Sequence, residues 1–327
     1  MFRWNLKLIV CLIALVLCSS SCQPADEEPR NIPDFQLVIS EPYRSLQNAP
    51  IYIAHSQGFF QQEGLDVKIE SQSNFAQALE QLDTGNTHIL VTTAEKILHL
   101  YQQEKRTYSL IGQLSTSEAY YLLARNADLG ERQKIKGKVI LGYQGGELPW
   151  ILLYNELRKD KLNPFLSYSP IENLSYEEIP AIYEAGSGSY ILTEEPFVSK
   201  LESEGAALII PALQFKDRNL PAHTLMVTSD FAQNNPSISN SFLRAVKGAQ
   251  NWLDQESPAN IAEALQPFFP DYSERSLQRA AGRYKNTDCW QVGQLSEDSW
   301  LKMQEIMLNE KELLGIIPLD RFQLPTD

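Results

Sequence analysis

The segment IYIAHSQGFFQQEGLDVKIE (residues 51–70) constrains the fold more than any other part of this sequence. Pro50 stands where the first turn of a helix tolerates proline, and Gly58 ends the short helix that follows. A second helical turn ends at Gly64, after which residues 65–70 alternate like a strand with one buried face. Because residues 35–40 also have a strand pattern, the segment completes a strand–helix–strand unit, as parallel sheets require.

Strand and helix patterns continue to alternate along the chain, in two successive α/β stretches. Strands are predicted at 35–40, 65–70, 88–93, 108–114, 120–125, 138–143, 165–169, 189–193, 206–210 and 224–230, and helices at 51–57, 59–63, 75–82, 94–103 and 147–160. After residue 230 the pattern is almost wholly helical, with segments at 236–255, 257–269, 273–286 and 295–314. The pattern therefore predicts an α/β fold with a helical C-terminal segment.

The first 21 residues have the composition of a secretory signal peptide. Positive residues precede the apolar run 8–18, which is too short to span a bilayer as a helix, and small residues follow it. The sequence SSSC resembles a bacterial lipobox, although Ser19 stands where leucine is most common, and this resemblance implies acylation of Cys22. Plain cleavage and release is the alternative. The polar, proline-bearing segment 22–34 fits a flexible tether, so we expect an exported protein, in the periplasm or at the cell surface, held to a bacterial membrane by lipid.

Charge and cysteine content exclude several classes of partner. With 28 Lys and Arg against 41 Asp and Glu, the formal net charge is −13, which disfavours nucleic acid and anionic membrane surfaces. Once the signal peptide and Cys22 are set aside, Cys289 is the one cysteine that remains, so no intrachain disulfide can form. The four histidines are scattered, and we expect neither a metal nor another cofactor.

Five segments, in order along the chain, together resemble one protein family. They are APIYIAHSQGFFQQEGLDVKIE (49–70), GQLSTSEAYYLLAR (112–125), AGSGSYILTEEPFVSKLESEG (185–205), PAHTLMVTSDFAQNNPSISNSFLRAVKGAQNWL (221–253) and YKNTDCW (284–290). The chain resembles the solute-binding proteins of ABC importers, in the branch that handles nitrate, alkanesulfonates, taurine and thiamine pyrimidine precursors.

This resemblance implies a two-lobed type II periplasmic-binding-protein fold with hinge strands. Lobe 1 would comprise 35–112 and 222–327, and lobe 2 would comprise 113–221. The implied function is that of a monomer which captures a small polar or anionic solute between the lobes and delivers it to the permease subunits of an ABC importer. In an open α/β sheet the ligand lies at the carboxyl ends of the strands.

The candidate solute contacts all follow or end predicted strands. They are Tyr43, Arg44, Thr92, Thr93, Tyr143, Gly145, Gly146, Glu194 and Glu195, joined on the resemblance by Ser115 and Thr116. Helix capping explains Thr93 equally well, and compensation of a helix dipole explains Glu195. His223 is interpreted as a structural histidine rather than a contact.

These candidates favour two kinds of ligand group. Arg44 and the Gly145–Gly146 turn favour an anion, whereas Glu194 and Glu195 favour a cationic or ring-nitrogen group. A solute with both, such as an aminosulfonate or an aminopyrimidine, would satisfy all of them.

Two other functions remain open on the same fold. An enzyme similar to the pyrimidine synthases is one, but that group carries a cysteine-rich iron motif, and this chain has a single cysteine in the mature body. A sensor that presents its ligand to a receptor is the other, and the sequence does not separate sensing from transport.

Overall fold

The computed structural model describes residues 35–103, 108–116, 119–143, 146–176, 178–210 and 220–323. The predicted signal peptide, the tether and Cys22 lie outside the described residues. None of the helices in the described part of the chain is both long and apolar enough to cross a membrane.

Strands of the described chain fall into two sheets. The strands are β1 (Gln36–Glu41), β2 (Asp66–Ser71), β3 (Ile89–Thr93), β4 (Tyr108–Ser115), β5 (Tyr120–Ala124), β6 (Val139–Leu141), β7 (Ser169–Ile171), β8 (Tyr190–Glu194), β9 (Leu208–Ile209), β10 (His223–Thr228) and β11 (Trp290–Gly293). The first sheet has the order β11-β4-β10-β3-β1-β2, and the second has the order β7-β6-β8-β5-β9. We call the parts of the chain built on these sheets the first lobe and the second lobe.

Helices cover the sheets and form most of the C-terminal segment. They are α1 (Ala49–Ser56), α2 (Phe59–Gln62), α3 (Phe75–Asp83), α4 (Ala94–Gln102), α5 (Leu148–Lys159), α6 (Glu178–Glu184), α7 (Phe197–Ser203), α8 (Ser229–Asn234), α9 (Pro236–Gln255), α10 (Pro258–Leu265), α11 (Glu274–Asn286) and α12 (Glu297–Asn309). Short 3₁₀ turns lie at Leu46–Asn48, Ala127–Leu129, Arg132–Ile135, Gln266–Phe268 and Leu319–Arg321.

The segment 51–70 folds as its pattern predicts. Gly58 and Gly64 adopt left-handed φ angles of 77° and 74°, which let the chain turn after α1 and before β2. Strand β2 then pairs in parallel with β1. Helix α1 packs against α9, and Phe60 of α2 stacks on Phe242 of α9 with 5.4 Å between ring centroids. The apolar residues of this segment therefore form part of the core of the first lobe.

The chain crosses between the sheets twice, after β4 and before β10. At the crossing, Thr116 and Pro221 form an isolated antiparallel bridge. The backbone N–H of Ala222 also donates to the carbonyl of Ser115 at 3.0 Å. Two adjacent crossing segments are the arrangement that a hinge between lobes requires.

The C-terminal segment differs from the prediction at one element. Residues Trp290–Gly293 form β11, which pairs antiparallel with β4 at the edge of the first sheet. The indole N–H of Trp290 donates to the carbonyl of Leu46 at 2.9 Å, which fixes the strand against the turn before α1. Four residues between two helices are too few to give a strand periodicity, so the sequence pattern missed this strand.

Candidate functional site

A cavity of about 980 Å³ lies between the two lobes. The first lobe contributes Pro42, Tyr43, Asn48, Ser73, Asn74, Phe75, Ala76, Val91, Thr92, Thr93, Lys96 and His223, and the second contributes Tyr143, Glu147, Glu172, Asn173, Leu174, Ser175, Tyr176 and Glu178. Most of these residues follow the carboxyl ends of β1, β2, β3, β6 and β7. This is the place where an open α/β sheet binds ligands.

Three tyrosine rings from both lobes pack together in this cavity. Tyr43 of the first lobe stacks on Tyr176 of the second, with 4.3 Å between ring centroids and 10° between planes. The ring centroid of Tyr143 lies 5.9 Å from that of Tyr176. We call Tyr43, Tyr143 and Tyr176 the tyrosine cluster. Burial holds the pKa of all three hydroxyls well above the usual value, so they stay protonated and able to donate.

An ion pair joins the lobes at one side of the cavity. The ammonium of Lys96, in the first turn of α4, lies 3.3 Å from a carboxylate oxygen of Glu147, which precedes α5. Burial raises the pKa of Glu147 to about 7, and Lys96 opposes that rise. Buried Glu95 accepts a hydrogen bond from the backbone N–H of Leu148 at 3.1 Å, so the start of α4 also holds the start of α5.

A second set of contacts between the lobes lies around Glu194, at the end of β8. Its carboxylate accepts hydrogen bonds from the Ser45 hydroxyl at 2.6 Å and from the Gln47 side-chain amide. The carbonyl of that amide accepts from the Ser115 hydroxyl at 2.7 Å. We call Glu194, Ser45, Gln47 and Ser115 the Glu194 network. Burial raises the pKa of Glu194 to about 7, against the hydrogen bonds from Ser45 and Gln47.

Four of the predicted contacts line the cavity, namely Tyr43, Thr92, Thr93 and Tyr143. Ser115 and Glu194 belong instead to the Glu194 network, and Gly145 lies outside the described residues. Which of these residues touch the solute stays a prediction.

The other predicted contacts that the structure describes are not among the residues that line the cavity. Arg44 lies 3.3 Å from a carboxylate oxygen of Glu41, with its guanidinium over the Tyr52 ring. Glu195 accepts from the backbone N–H and hydroxyl of Ser199, both at 2.9 Å, and pairs with Arg283. Thr116 lies at the hinge bridge, and Gly146 borders a separate cavity of about 370 Å³ beside α5.

Sequence reasoning missed several residues that line the cavity, including Asn48, Lys96, Glu147 and Tyr176. Lys96 follows Thr93 by three residues, in the first turn of α4. Residues at this spacing share one face of a helix, so the prediction of Thr93 as a contact could have been extended to Lys96. Tyr176 lies in the connection between β7 and α6, where no periodicity marks it.

The sequence matches a protein-family model over most of its length. The model described as NMT1/THI5 like matches residues 45–259. The chain belongs to the NMT1/THI5-like family. The matched range runs from the loop after β1 to the start of α10, and so includes residues of both lobes and most of the cavity lining.

Proteins similar to this NMT1/THI5-like protein include binding proteins for alkanesulfonate and nitrate and the ligand-binding component of an ABC-type import system from Staphylococcus aureus. The candidate binding protein YtlA of Bacillus subtilis is 25% identical over 98% of this chain and 96% of its own length. The alkanesulfonate-binding protein SsuA of Xanthomonas axonopodis, solved bound to MOPS, matches with a TM-score of 0.73 and 17% identity, covering 88% of this chain and 98% of its own. The periplasmic nitrate-binding protein NrtA of Synechocystis matches with a TM-score of 0.69 and 14% identity, covering 86% of this chain and 82% of its own. The predicted periplasmic-binding-protein fold is confirmed.

The described part of this NMT1/THI5-like protein has no group of three or more His, Cys, Asp or Glu side chains placed to hold a metal ion. Cys289 is fully buried, and its carbonyl accepts from the backbone N–H of Thr116 at 2.9 Å. Its surroundings are those of a small apolar core residue.

Proposed function

We propose that this protein is an exported solute-binding protein that captures a small polar solute between its lobes and delivers it unchanged to an ABC importer. The observation that carries the proposal is the cavity lined from both lobes and crossed by the tyrosine cluster. A solute that contacts both lobes has a higher affinity for the closed form than for the open form, and therefore drives closure. The hinge at Thr116 and Pro221 is where the lobes would rotate.

The charges around the cavity narrow the class of solute. Among the described lining residues, Lys96 is the one Lys or Arg, and it is already paired with Glu147, whereas Glu172 and Glu178 add further negative charge. Arg44, the guanidinium predicted to bind an anion, does not line the cavity and lies against Glu41. Aromatic rings with carboxylates favour a solute that combines an apolar or flat part with a donor nitrogen. An aminopyrimidine fits both features, and an aminosulfonate fits if Lys96 turns toward it.

Titration of the purified protein with candidate solutes tests binding without turnover. We expect saturable thermal stabilisation and full recovery of the solute, because the residues described offer binding contacts rather than a reactive nucleophile. The variant Tyr43→Ala should bind about fivefold more weakly, since one stacked ring contributes about 1 kcal/mol. Tyr101→Ala, which removes an exposed ring outside the cavity, is the matched control.

Chemical conversion of the solute would reject this function and support the enzyme alternative. Binding without any association with a permease would support the sensor alternative.

The proposed membrane anchor depends on Cys22. If Cys22 carries lipid, Cys22→Ala should move the protein from the membrane fraction to the soluble fraction, because the acylated residue is lost. Fractionation with and without detergent measures this, and Cys289→Ala is the control that leaves the anchor intact. Retention of Cys22→Ala in the membrane fraction would contradict lipidation.

A further inference from the structure

The imidazole of His223 is a buried group of the cavity that has one ring nitrogen paired and one unpaired. His223 begins β10, is 4% exposed and lines the cavity. Its Nδ1 lies 2.7 Å from Oδ1 of Asn48, whereas its Nε2 has no hydrogen-bond partner among the described residues. Which nitrogen carries the proton decides what the ring can offer a solute.

The orientation of the Asn48 amide settles that question. Its Nδ2 donates to the carboxylate of Glu41 at 2.8 Å. The same carboxylate accepts from the hydroxyls of Tyr52 at 2.5 Å and Ser71 at 2.8 Å, with the Arg44 guanidinium 3.3 Å away. Burial raises the pKa of Glu41, while Arg44 and these hydrogen-bond donors favour the ionised form. The ionised carboxylate can only accept, so the NH₂ of Asn48 faces Glu41 and its carbonyl faces His223.

Because Oδ1 of Asn48 can only accept, Nδ1 of His223 must be the donor. Burial lowers the pKa of His223 to about 3, so the ring is neutral at physiological pH. A neutral imidazole with its proton on Nδ1 has a lone pair on Nε2. The hydroxyl of Ser115 accepts a hydrogen bond from the backbone N–H of His223 at 3.1 Å. The Tyr43 ring packs edge-on against the imidazole, with 75° between the ring planes. These two contacts hold the imidazole in place.

We infer that His223 is a specificity-determining residue: its Nε2, which is buried and unpaired among the residues described, accepts a hydrogen bond from an N–H or O–H group of a solute that enters beside Tyr43. A solute that offers only hydrogen-bond acceptors to Nε2, such as nitrate or methanesulfonate, would place an acceptor lone pair against the lone pair of Nε2. Both groups would then be buried without a partner, which disfavours such a solute by about 10- to 100-fold. The inference rests on the proposed function, since it assigns part of the solute's chemistry to the same cavity.

The tautomer can be measured without any ligand. The sequence has four histidines, so ring ¹⁵N labelling and the variant His223→Gln identify the His223 signals. From about pH 5 to about pH 8 we expect a proton on Nδ1 and none on Nε2. Asn48→Leu, which removes the acceptor for Nδ1, should lose this tautomer. A proton on Nε2 in the native protein would overturn the inference.

A matched pair of probes tests the effect on binding. 4-Aminopyrimidine and 4-methylpyrimidine have the same shape, but only the first has an N–H donor. The native protein should prefer the amine by about 10- to 100-fold over the methyl compound and over nitrate or methanesulfonate. His223→Phe, or His223→Leu if the first variant is unstable, should remove this preference.

The two measurements separate the possible failures. Equal affinity for donor and non-donor probes, or a preference that survives in His223→Phe, would overturn the role of His223. If none of the probes binds, the proposed class of solute fails, and the measured tautomer still decides whether Nε2 is an acceptor.

Discussion

Glu194→Ala is expected to lower solute affinity by about 100-fold, because each hydrogen bond lost from the closed form costs about 1–3 kcal/mol. The carboxylate belongs to the second lobe, and both of its donors, Ser45 and Gln47, belong to the first. Without the Glu194 carboxylate, closing the lobes buries the Ser45 and Gln47 donors with no acceptor, whereas in an open form water accepts their hydrogen bonds. The closed population therefore falls, and the apparent affinity falls in proportion.

Calorimetric titration of the solute measures this loss of affinity. Glu204→Ala removes an exposed carboxylate from the same lobe and should bind like the native protein. Adding Ser45→Ala to Glu194→Ala should cost little more, because the two side chains act on one hydrogen bond. Native affinity in Glu194→Ala would show that the Glu194 network does not stabilise the closed form.

The free energy of unfolding is expected to rise as the pH falls from about 7.5 to about 5, because two raised carboxyl pKa values outweigh the opposing effect of His223, whose pKa burial lowers to about 3. Burial raises the pKa of both Glu147 and Glu194 from 4.5 to about 7 in the folded protein. The folded state then binds more protons than the unfolded state between these values. This contribution to stability is fully present below pH 4.5 and is lost as the pH rises through about 7.

Each of these two carboxyls contributes up to about 3 kcal/mol to this pH dependence. Melting temperatures at the two pH values measure it. Glu147→Gln and Glu194→Gln should each flatten the profile, because an amide does not titrate, and Glu204→Gln should leave the slope unchanged. Profiles of Glu147→Gln and Glu194→Gln that match the native profile would contradict the assignment.

The fold was largely predictable because its signals are local. Apolar periodicity, Pro50 and the two left-handed glycines specify the helices and strands of residues 51–70 without reference to the rest of the chain. Strand β11 was missed because it is short and is held in place by distant partners, Leu46 and β4. Local patterns do not encode such pairings.

The site was predictable only as a location. The rule that solutes bind at the carboxyl ends of strands led to Tyr43 and Tyr143, and both line the cavity. The direction of neighbouring side chains was not predictable. Tyr43 faces the cavity and Arg44 faces Glu41, while Glu194 faces the first lobe and Glu195 faces Arg283. Adjacent residues in extended backbone point to opposite sides, and only packing decides which side is the cavity.

The sequence by itself determined the order of strands and helices as far as β10, and with it the ends of the parallel strands at which a solute can bind. Only the tertiary structure decided which polar groups meet there, because the partners are far apart in the chain: 149 residues separate Ser45 from Glu194, and 175 separate Asn48 from His223. A periodic pattern extends over a few turns or one strand, whereas a buried hydrogen bond depends on how two lobes pack.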